Sequence, residues 1–133
     1  MQLKDIKLIE VSTKSTIFEQ NSFTSGKGKI KVEYGELNFE VGGVLVQDEK
    51  KSTVIVTATP QILGSREGSE NLEFSLKISM RMIYIYSREN VMDEKFLADN
   101  AWYFSSFLRT YFKIYAEQIF NQSSISGIKL PLN

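Results

Sequence analysis

The clearest pattern in the sequence is a strict alternation of residue types between Leu72 and Tyr86. Every second position of this stretch is apolar: Leu72, Phe74, Leu76, Ile78, Met80, Met82, Tyr84 and Tyr86. Side chains of a β-strand point to alternate faces, so the pattern predicts a strand with one apolar face. The intervening positions begin polar and become apolar at Ile83 and Ile85. That change predicts burial on both faces near the end of the strand, under a partner chain or a bound ligand.

Three further strands precede this one in the sequence. The first extends from about residue 3 to residue 19, and a change of parity between Leu8 and Ile9 predicts a β-bulge in it. Alternating apolar positions predict a second strand from Ile30 to Val41 and a third from Ser52 to Leu63. The connections are mostly short, which favours antiparallel pairing of consecutive strands.

A long amphipathic helix is predicted from Asp93 to about Ser123, with Asp93 as its N-cap. At about 100° per residue, one set of apolar side chains forms a straight stripe. This first stripe contains Leu97, Ala101, Phe104, Leu108, Tyr111, Tyr115 and Ile119. A second stripe, about 100° away, contains Phe96, Tyr103, Phe107 and Ile114. A helix on one sheet needs a single apolar stripe, so the second widens the core-facing surface, meets a helix of another subunit or lines a groove.

Four strands followed by one helix predict an α+β fold. We expect a four-stranded antiparallel sheet with one long C-terminal helix packed on one face. The chain has 133 residues, a length that fits one hydrophobic core, so residues 1–133 are expected to form a single domain.

The composition argues against catalysis. The chain contains neither cysteine nor histidine, which removes thiolate and imidazole metal ligands and the commonest general base. The sequence also lacks a glycine-rich phosphate loop and a nucleophile elbow. We therefore predict a binding protein that is not an enzyme, with no catalytic residues, no metal and no cofactor.

The charge balance limits the classes of partner. Sixteen basic residues match sixteen acidic ones, so no overall field attracts nucleic acid or an anionic membrane. The first residues lack the apolar core of a signal peptide, and no stretch approaches the ~20 apolar residues of a membrane span. We expect a cytoplasmic protein with no nucleic-acid partner and no membrane insertion.

Two segments of the sequence resemble motifs of a known protein family. Residues 13–21, Thr-Lys-Ser-Thr-Ile-Phe-Glu-Gln-Asn, resemble the family's Thr-Lys-Asp-x-Ser-Phe-Glu-x-Pro-Asn segment. Tyr115 and Ala116 are followed at the family's spacing by Gly127, and residues 130–133, Leu-Pro-Leu-Asn, are similar to its Leu-Ala-Pro-Val-Asn. The order of four strands and then a long helix is also that of this family, the SecB family of protein-export chaperones.

The resemblance implies a homotetramer, a dimer of dimers whose helices pack between two eight-stranded sheets. It also implies that unfolded polypeptides bind in apolar grooves beside the helix without nucleotide hydrolysis. Methionine and aromatic side chains suit such grooves because they adapt to many apolar segments. The candidate residues of the client groove are Ile83, Ile85, Trp102, Tyr103 and Phe107. The candidate residues of the subunit interface are Phe96, Tyr103, Phe107 and Ile114.

The chain departs from the family where the family docks the motor of the export machinery. The export chaperones are markedly acidic and this chain is neutral. In the first-strand motif the family's Asp is replaced by Ser15, and Glu19 is the acidic residue that remains. One surface carboxylate contributes at most about 1 kcal/mol. We therefore treat Glu19 as a remnant of the docking site and predict weak or absent binding to that motor.

Two alternatives to a general chaperone stay open. One is a module for a dedicated protein partner, such as a chaperone attached to a toxin–antitoxin system. The other is a small-ligand carrier of helix-grip type, in which a C-terminal helix closes over a curved sheet. A carrier needs a closed cavity within one subunit, so a tetramer in solution would count against it.

Overall fold

The computed structural model describes residues 1–22, 28–68 and 71–125 and consists of an antiparallel sheet with helices on one face. The strands are β1 (Lys7–Gln20), β2 (Gly28–Glu33), β3 (Asn38–Val44), β4 (Lys51–Ala58), β5 (Gln61–Arg66) and β6 (Leu72–Ser87). The helices are α1 (Glu94–Asp99) and α2 (Ala101–Phe120). Gly127 and residues 130–133, which carry part of the family resemblance, lie outside the described residues.

Within the described ranges the sheet has six strands, not the four predicted, because two of the predicted strands are each interrupted once. β4 and β5 pair with β6 in one register, so that Ala58 lies opposite Met80 and Gln61 lies opposite Lys77. Pro60 occupies the gap, where it has no N–H to donate while its carbonyl accepts from the Ile78 N–H at 3.1 Å.

The two parts of each interrupted strand lie end to end and occupy one position in the sheet, here called a lane. β3 pairs with β4 and β2 pairs with β5, so the chain from β2 to β3 runs beside the chain from β4 to β5. β1 pairs with β6 along its opposite edge. The six strands therefore occupy four lanes in the order β1, β6, β4 with β5, and β3 with β2. The predicted α+β architecture is confirmed, with a corrected strand count.

Bulges bend both outer lanes. Ile9 is the extra residue between Leu8 and Glu10 in β1, where the change of parity predicts a bulge. Lys14 is a second extra residue in β1 that the sequence did not predict. In β3 the extra residue is Gly42, whose φ of +86° lies in the left-handed region that favours glycine.

The helical segment begins at the predicted N-cap. The Asp93 carboxylate accepts a hydrogen bond from the Phe96 N–H at 2.8 Å. Asn100 then divides the predicted single helix, and its side-chain amide donates to the Phe96 carbonyl at 2.9 Å. α2 ends at Phe120, three residues before the predicted end.

Burial along α2 repeats every four residues. The fully buried row consists of Phe104, Leu108, Phe112, Ala116 and Phe120. On one side of it lies a half-buried row, here called the aromatic row: Tyr103, Phe107, Tyr111, Tyr115 and Ile119. On the other side lies a half-buried polar row: Ala101, Ser105, Arg109, Lys113 and Glu117. The exposed row consists of Trp102, Ser106, Thr110, Ile114 and Gln118.

The buried row winds around α2 because the helix packs on a twisted sheet. A row of residues spaced by four rotates by about 40° per step. The residues that its rings contact therefore change along the helix. Phe104 contacts Phe39 and Tyr84, Phe112 contacts Tyr34, and Phe120 contacts Phe74 and Phe18. The prediction that the first stripe forms the core along a straight line is therefore wrong beyond Leu108. Phe112, Ala116 and Phe120 form the core there, whereas Tyr111, Tyr115 and Ile119 are half-buried.

Candidate functional site

The aromatic row lies on the flank of α2 that faces β1. At its upper end the Tyr103 hydroxyl donates to the carbonyl of Ile6, the residue before β1, at 3.4 Å. The opposite flank faces the connection between β2 and β3, because the Arg109 guanidinium lies 4.6 Å from the centre of the Tyr34 ring. The two flanks of the helix therefore have different chemistry, apolar towards β1 and polar towards β2 and β3.

The inner face of β1 provides the floor beside this row. Leu8, Val11 and Phe18 pair with inward-facing residues of β6 and pack half-buried against the core. Thr13 and Thr16 between them face the same way and are exposed. The aromatic row and this face of β1 together form an open apolar surface, here called the helix–β1 groove.

The free edge of β1 borders the groove. Within the described residues β1 pairs with β6 alone, so the backbone groups of its other edge have no strand partner. Such an edge can hydrogen-bond an added extended chain. The groove thus combines an apolar wall with a backbone template.

The spacing of the aromatic row suits an extended peptide. Residues four apart on a helix are about 6 Å apart along its axis, so the row is about 24 Å long. Side chains on one side of an extended chain recur about every 6.6 Å. The two repeats are close enough for an extended segment with apolar residues at every second position to place them along the row.

The upper end of the groove is packed within the subunit. The ring of Phe107 lies 5.1 Å from that of Tyr103 and 5.9 Å from that of Tyr84. Burial raises the pKa of both Tyr84 and Tyr103 above the usual value, so both phenols are uncharged at neutral pH. Further along, Tyr111 and Tyr115 contact each other with ring centres 6.4 Å apart. These two half-buried tyrosines are the central side chains of the groove.

The five predicted groove residues do not form one surface in a single chain. Tyr103 and Phe107 lie in the aromatic row, and the ring centre of Trp102 lies 6.1 Å from that of Tyr103, with 61% of Trp102 exposed. Ile83 and Ile85 lie on the other face of the sheet, because residues next to Tyr84 in a strand point away from it. Ile83 pairs there with Ile55 of β4, and together with Ile85 they form a half-buried outer patch.

The predicted interface residues also occupy different environments. Tyr103 and Phe107 contact Tyr84 of the same subunit, and Phe96 of α1 is half-buried. Ile114 lies in the exposed row, with 44% of the residue accessible. Among the four candidates, Ile114 is the most accessible to another subunit.

The outer face of β1 carries mixed charge. Glu19 is exposed there, opposite Ser75 of β6. The Glu10 carboxylate pairs with the Arg81 guanidinium at 3.4 Å on the same face. In the part of the chain that the structure describes, no set of acidic side chains is grouped to hold a metal ion. None of the described helices is long and apolar enough to cross a membrane.

Sequence reasoning missed Tyr111, Tyr115 and Ile119 as groove residues and assigned them to the core. The signal that identifies them is a repeat of four residues between residue 103 and residue 120. Both the aromatic row and the buried row next to it follow this repeat. An average period of about 3.6 residues combines these two rows into one straight stripe.

Comparison with known proteins supports the fold. No protein-family model matches the sequence, and the search of curated proteins finds no match. Among solved structures, the chain is similar to the Mycobacterium tuberculosis Rv1957 SecB-like chaperone in complex with a ChAD peptide from the Rv1956 HigA1 antitoxin. The TM-score is 0.67 at 11% sequence identity, and the match covers 96% of this chain and 90% of that chain. The fold is therefore SecB-like.

Proposed function

We propose that this protein is an ATP-independent, SecB-like chaperone that binds extended apolar segments of non-native polypeptides in the helix–β1 groove. The observation that carries the proposal is the aromatic row, which leaves five consecutive turns of apolar side chains half-buried along one flank of α2. A monomeric protein rarely exposes so continuous an apolar surface without a binding role.

Binding in this groove needs no chemical energy. The aromatic rings provide apolar area and the β1 edge provides backbone hydrogen-bond partners, and both are present before a client arrives. Neither contact requires a particular client side chain, provided that the side chains facing the rings are apolar. The groove is therefore expected to accept many sequences with modest affinity.

A dedicated protein partner is the second candidate, and the solved neighbour favours it. Rv1957 was solved with a peptide of an antitoxin, so a SecB-like subunit of this size can bind a defined segment of one partner. A groove that recognises alternating apolar residues would serve either role. The two are separated by whether unrelated unfolded chains bind.

The helix-grip carrier has less support. Such a carrier needs space between helix and sheet, but here rings fill that layer: Phe104 lies 5.3 Å from Phe39, and Phe112 lies 6.0 Å from Tyr34. At the far end Phe120 lies 5.6 Å from Phe74. These contacts join the buried row to the sheet at three levels of α2.

The proposal is tested with two labelled peptides of one composition. One alternates leucine and serine and the other groups its leucines together, with a lysine at each end of both. We expect the alternating peptide to bind with a micromolar Kd, about −8 kcal/mol, and more tightly than the other, as measured by fluorescence anisotropy. Added ATP should leave the Kd unchanged.

Two results would count against a general chaperone. Release of the peptide by ATP would contradict the absence of a nucleotide cycle. Failure to bind the peptides and any chemically unfolded protein, together with tight binding to a single co-purified partner, would favour the dedicated module instead.

We also propose that the subunits assemble as a homotetramer, a dimer of dimers. Each subunit has four lanes, and edge pairing of two subunits through the lane of β2 and β3 would give eight lanes while the β1 edge stays open to the client. The exposed row of α2, with Trp102 and Ile114, then remains for contact between the dimers.

Ile114→Glu is expected to convert the tetramer to dimers, because the interface would bury an unpaired carboxylate. Light scattering measures the change in mass. Gln118→Glu, one turn along the same exposed row, is the matched control and should retain the mass of the parent if the contact centres on Ile114. An unchanged mass for Ile114→Glu would exclude this row from the interface.

The mixed charge of the outer face favours a function outside motor-dependent export. Glu19 lies directly opposite the uncharged Ser75, and Glu10 is engaged by Arg81. Docking by charge needs a local field that two separated carboxylates do not provide. We therefore propose that clients reach their fate without a translocase motor.

A further inference from the structure

The inner face of β2, beside the polar row of α2, is apolar and only partly covered. Val32 pairs with Ile62, which is completely buried in the core. Residues that lie opposite each other in an antiparallel pair point to the same face, so Val32 faces the helix side of the sheet, and so does Ile30 two residues earlier. Val32 is half-buried, and Ile30 is 44% exposed. The inner face of β2 therefore presents apolar side chains that α2 does not cover.

The course of α2 explains why this face stays open. At Phe112 the helix contacts Tyr34, the residue that follows β2. About two turns later Phe120 contacts Phe18 of β1 and Phe74 of β6. The helix thus moves from β2 towards the other edge of the sheet, which leaves a space beside the polar row, here called the helix–β2 groove. Its residues are Ile30, Val32 and Tyr34 on the floor and Arg109 and Lys113 on the wall.

The two cations of the wall are half-buried and have no counter-charge in the part of the chain that the structure describes. None of the ion pairs between described residues includes Arg109 or Lys113. Glu117 lies one turn after Lys113, but a lysine that precedes a glutamate by four residues is in the less favourable order for pairing along a helix. A partly buried cation gains free energy from a counter-charge, so the wall favours an anionic partner.

Tyr34 orients the Arg109 guanidinium for a carboxylate. The guanidinium lies over the tyrosine ring, 4.6 Å from its centre. A guanidinium stacked on a ring keeps the N–H donors of its edge free, and these donors fit the two oxygens of a carboxylate. Lys113 follows about 6 Å along the helix axis. Side chains two residues apart in an extended chain are about 6.6 Å apart, so one segment can present a carboxylate to each cation.

We propose that the helix–β2 groove binds an extended acidic segment of another protein. Two carboxylates, two residues apart, pair with Arg109 and Lys113, and an adjacent apolar residue covers Ile30. The apolar floor favours such a peptide over a nucleic acid, whose backbone carries a charge at every nucleotide. The site is separate from the helix–β1 groove because it lies on the opposite flank of α2. Edge pairing through the lane of β2 and β3 leaves it open, since edge pairing extends a sheet within its own plane.

Two labelled peptides test the charge of the partner. One contains the sequence Ser-Asp-Ser-Asp-Leu-Ser, and the other has asparagine in place of both aspartates, which preserves its size and apolar content. The acidic peptide should bind at least about tenfold more tightly, as measured by fluorescence anisotropy, because hydrogen bonds to charged partners contribute more than neutral ones. Equal affinities of the two peptides would overturn the proposal.

A double variant tests the two cations. Arg109→Gln/Lys113→Gln should bind the acidic peptide about tenfold less tightly than the parent and leave the affinity for the asparagine peptide within about twofold. Lys4→Gln/Lys95→Gln removes two exposed positive charges elsewhere and should stay within about twofold of the parent for both peptides. Equal losses in the two variants would show that net charge, not this groove, controls the affinity for the acidic peptide, and would overturn the site.

A cross-link tests the contact in the unaltered protein. A carbodiimide joins a carboxylate to a lysine amine in contact with it, so a bound acidic peptide should become linked to Lys113. Mass spectrometry of the digested product identifies the linked lysine. Lys95, exposed on α1, is the internal control and should react far less. Linkage mainly to lysines other than Lys113 would contradict the proposed position of the segment.

Competition separates this inference from the proposed function. The alternating leucine–serine peptide in saturating excess should leave the acidic peptide bound, whereas displacement would assign both peptides to one groove and overturn the second site. Displacement by a short oligodeoxythymidine would assign the cations to phosphate, with the same consequence. If the leucine–serine peptide does not bind while the acidic peptide still requires Arg109 and Lys113, the helix–β2 site stands and the chaperone proposal fails.

Discussion

Tyr111→Asp/Tyr115→Asp is expected to weaken binding of the alternating apolar peptide by at least about a hundredfold, or about 2.7 kcal/mol. The two tyrosines are the central side chains of the aromatic row and are half-buried. Each substitution removes a ring that an apolar client side chain would cover and replaces it with a carboxylate. The bound client would then bury charges without partners, which is strongly unfavourable.

The matched control places the same two carboxylates on the other flank of α2. Ser105→Asp/Lys113→Asp changes the polar row, which faces the β2–β3 side of the sheet. This variant should bind the peptide within about threefold of the parent, a difference below about 1 kcal/mol. Circular dichroism checks that both variants are folded. An equal loss of affinity in both would mean that the aromatic row is not the binding surface.

Local features of the fold could be predicted because each depends on neighbouring residues. Strict alternation from Leu72 to Tyr86 identified β6 and its apolar face. The change of parity beside Ile9 identified a bulge, and Asp93 identified the start of the helices. In each case one backbone geometry satisfies the local pattern.

Features that depend on packing between elements could not be predicted in this way. Periodicity treats a helix as a cylinder on a flat surface, whereas the buried row of α2 follows a twisted sheet. For this reason Tyr111 and Tyr115 were predicted to lie in the core, whereas they are half-buried in the groove. Ile83 and Ile85 were correctly assigned to the face opposite Tyr84, but combining them with helix residues ignored that a sheet separates the two faces.

Phe112→Ala is expected to destabilise the subunit by about 3–5 kcal/mol, the range for removing a fully buried phenylalanine. Phe112 is completely buried, and its ring lies 6.0 Å from that of Tyr34. Tyr111→Ala, one residue earlier, removes a half-buried ring and is expected to cost about 1 kcal/mol. Urea denaturation followed by circular dichroism measures both losses as changes in the unfolding midpoint.

Which of these two variants loses more stability shows whether the buried row winds around α2 or runs straight along it. A straight stripe through Leu108, Tyr111 and Tyr115 would make Tyr111→Ala the more damaging change, because Phe112 would then lie at the edge of the buried face. The winding row predicts the reverse, since residue 112 is four positions after Leu108 and remains in contact with the sheet. It also predicts that Tyr111→Ala weakens peptide binding while the subunit stays folded. A larger loss of stability for Tyr111→Ala than for Phe112→Ala would therefore remove both the winding core and the groove beside it.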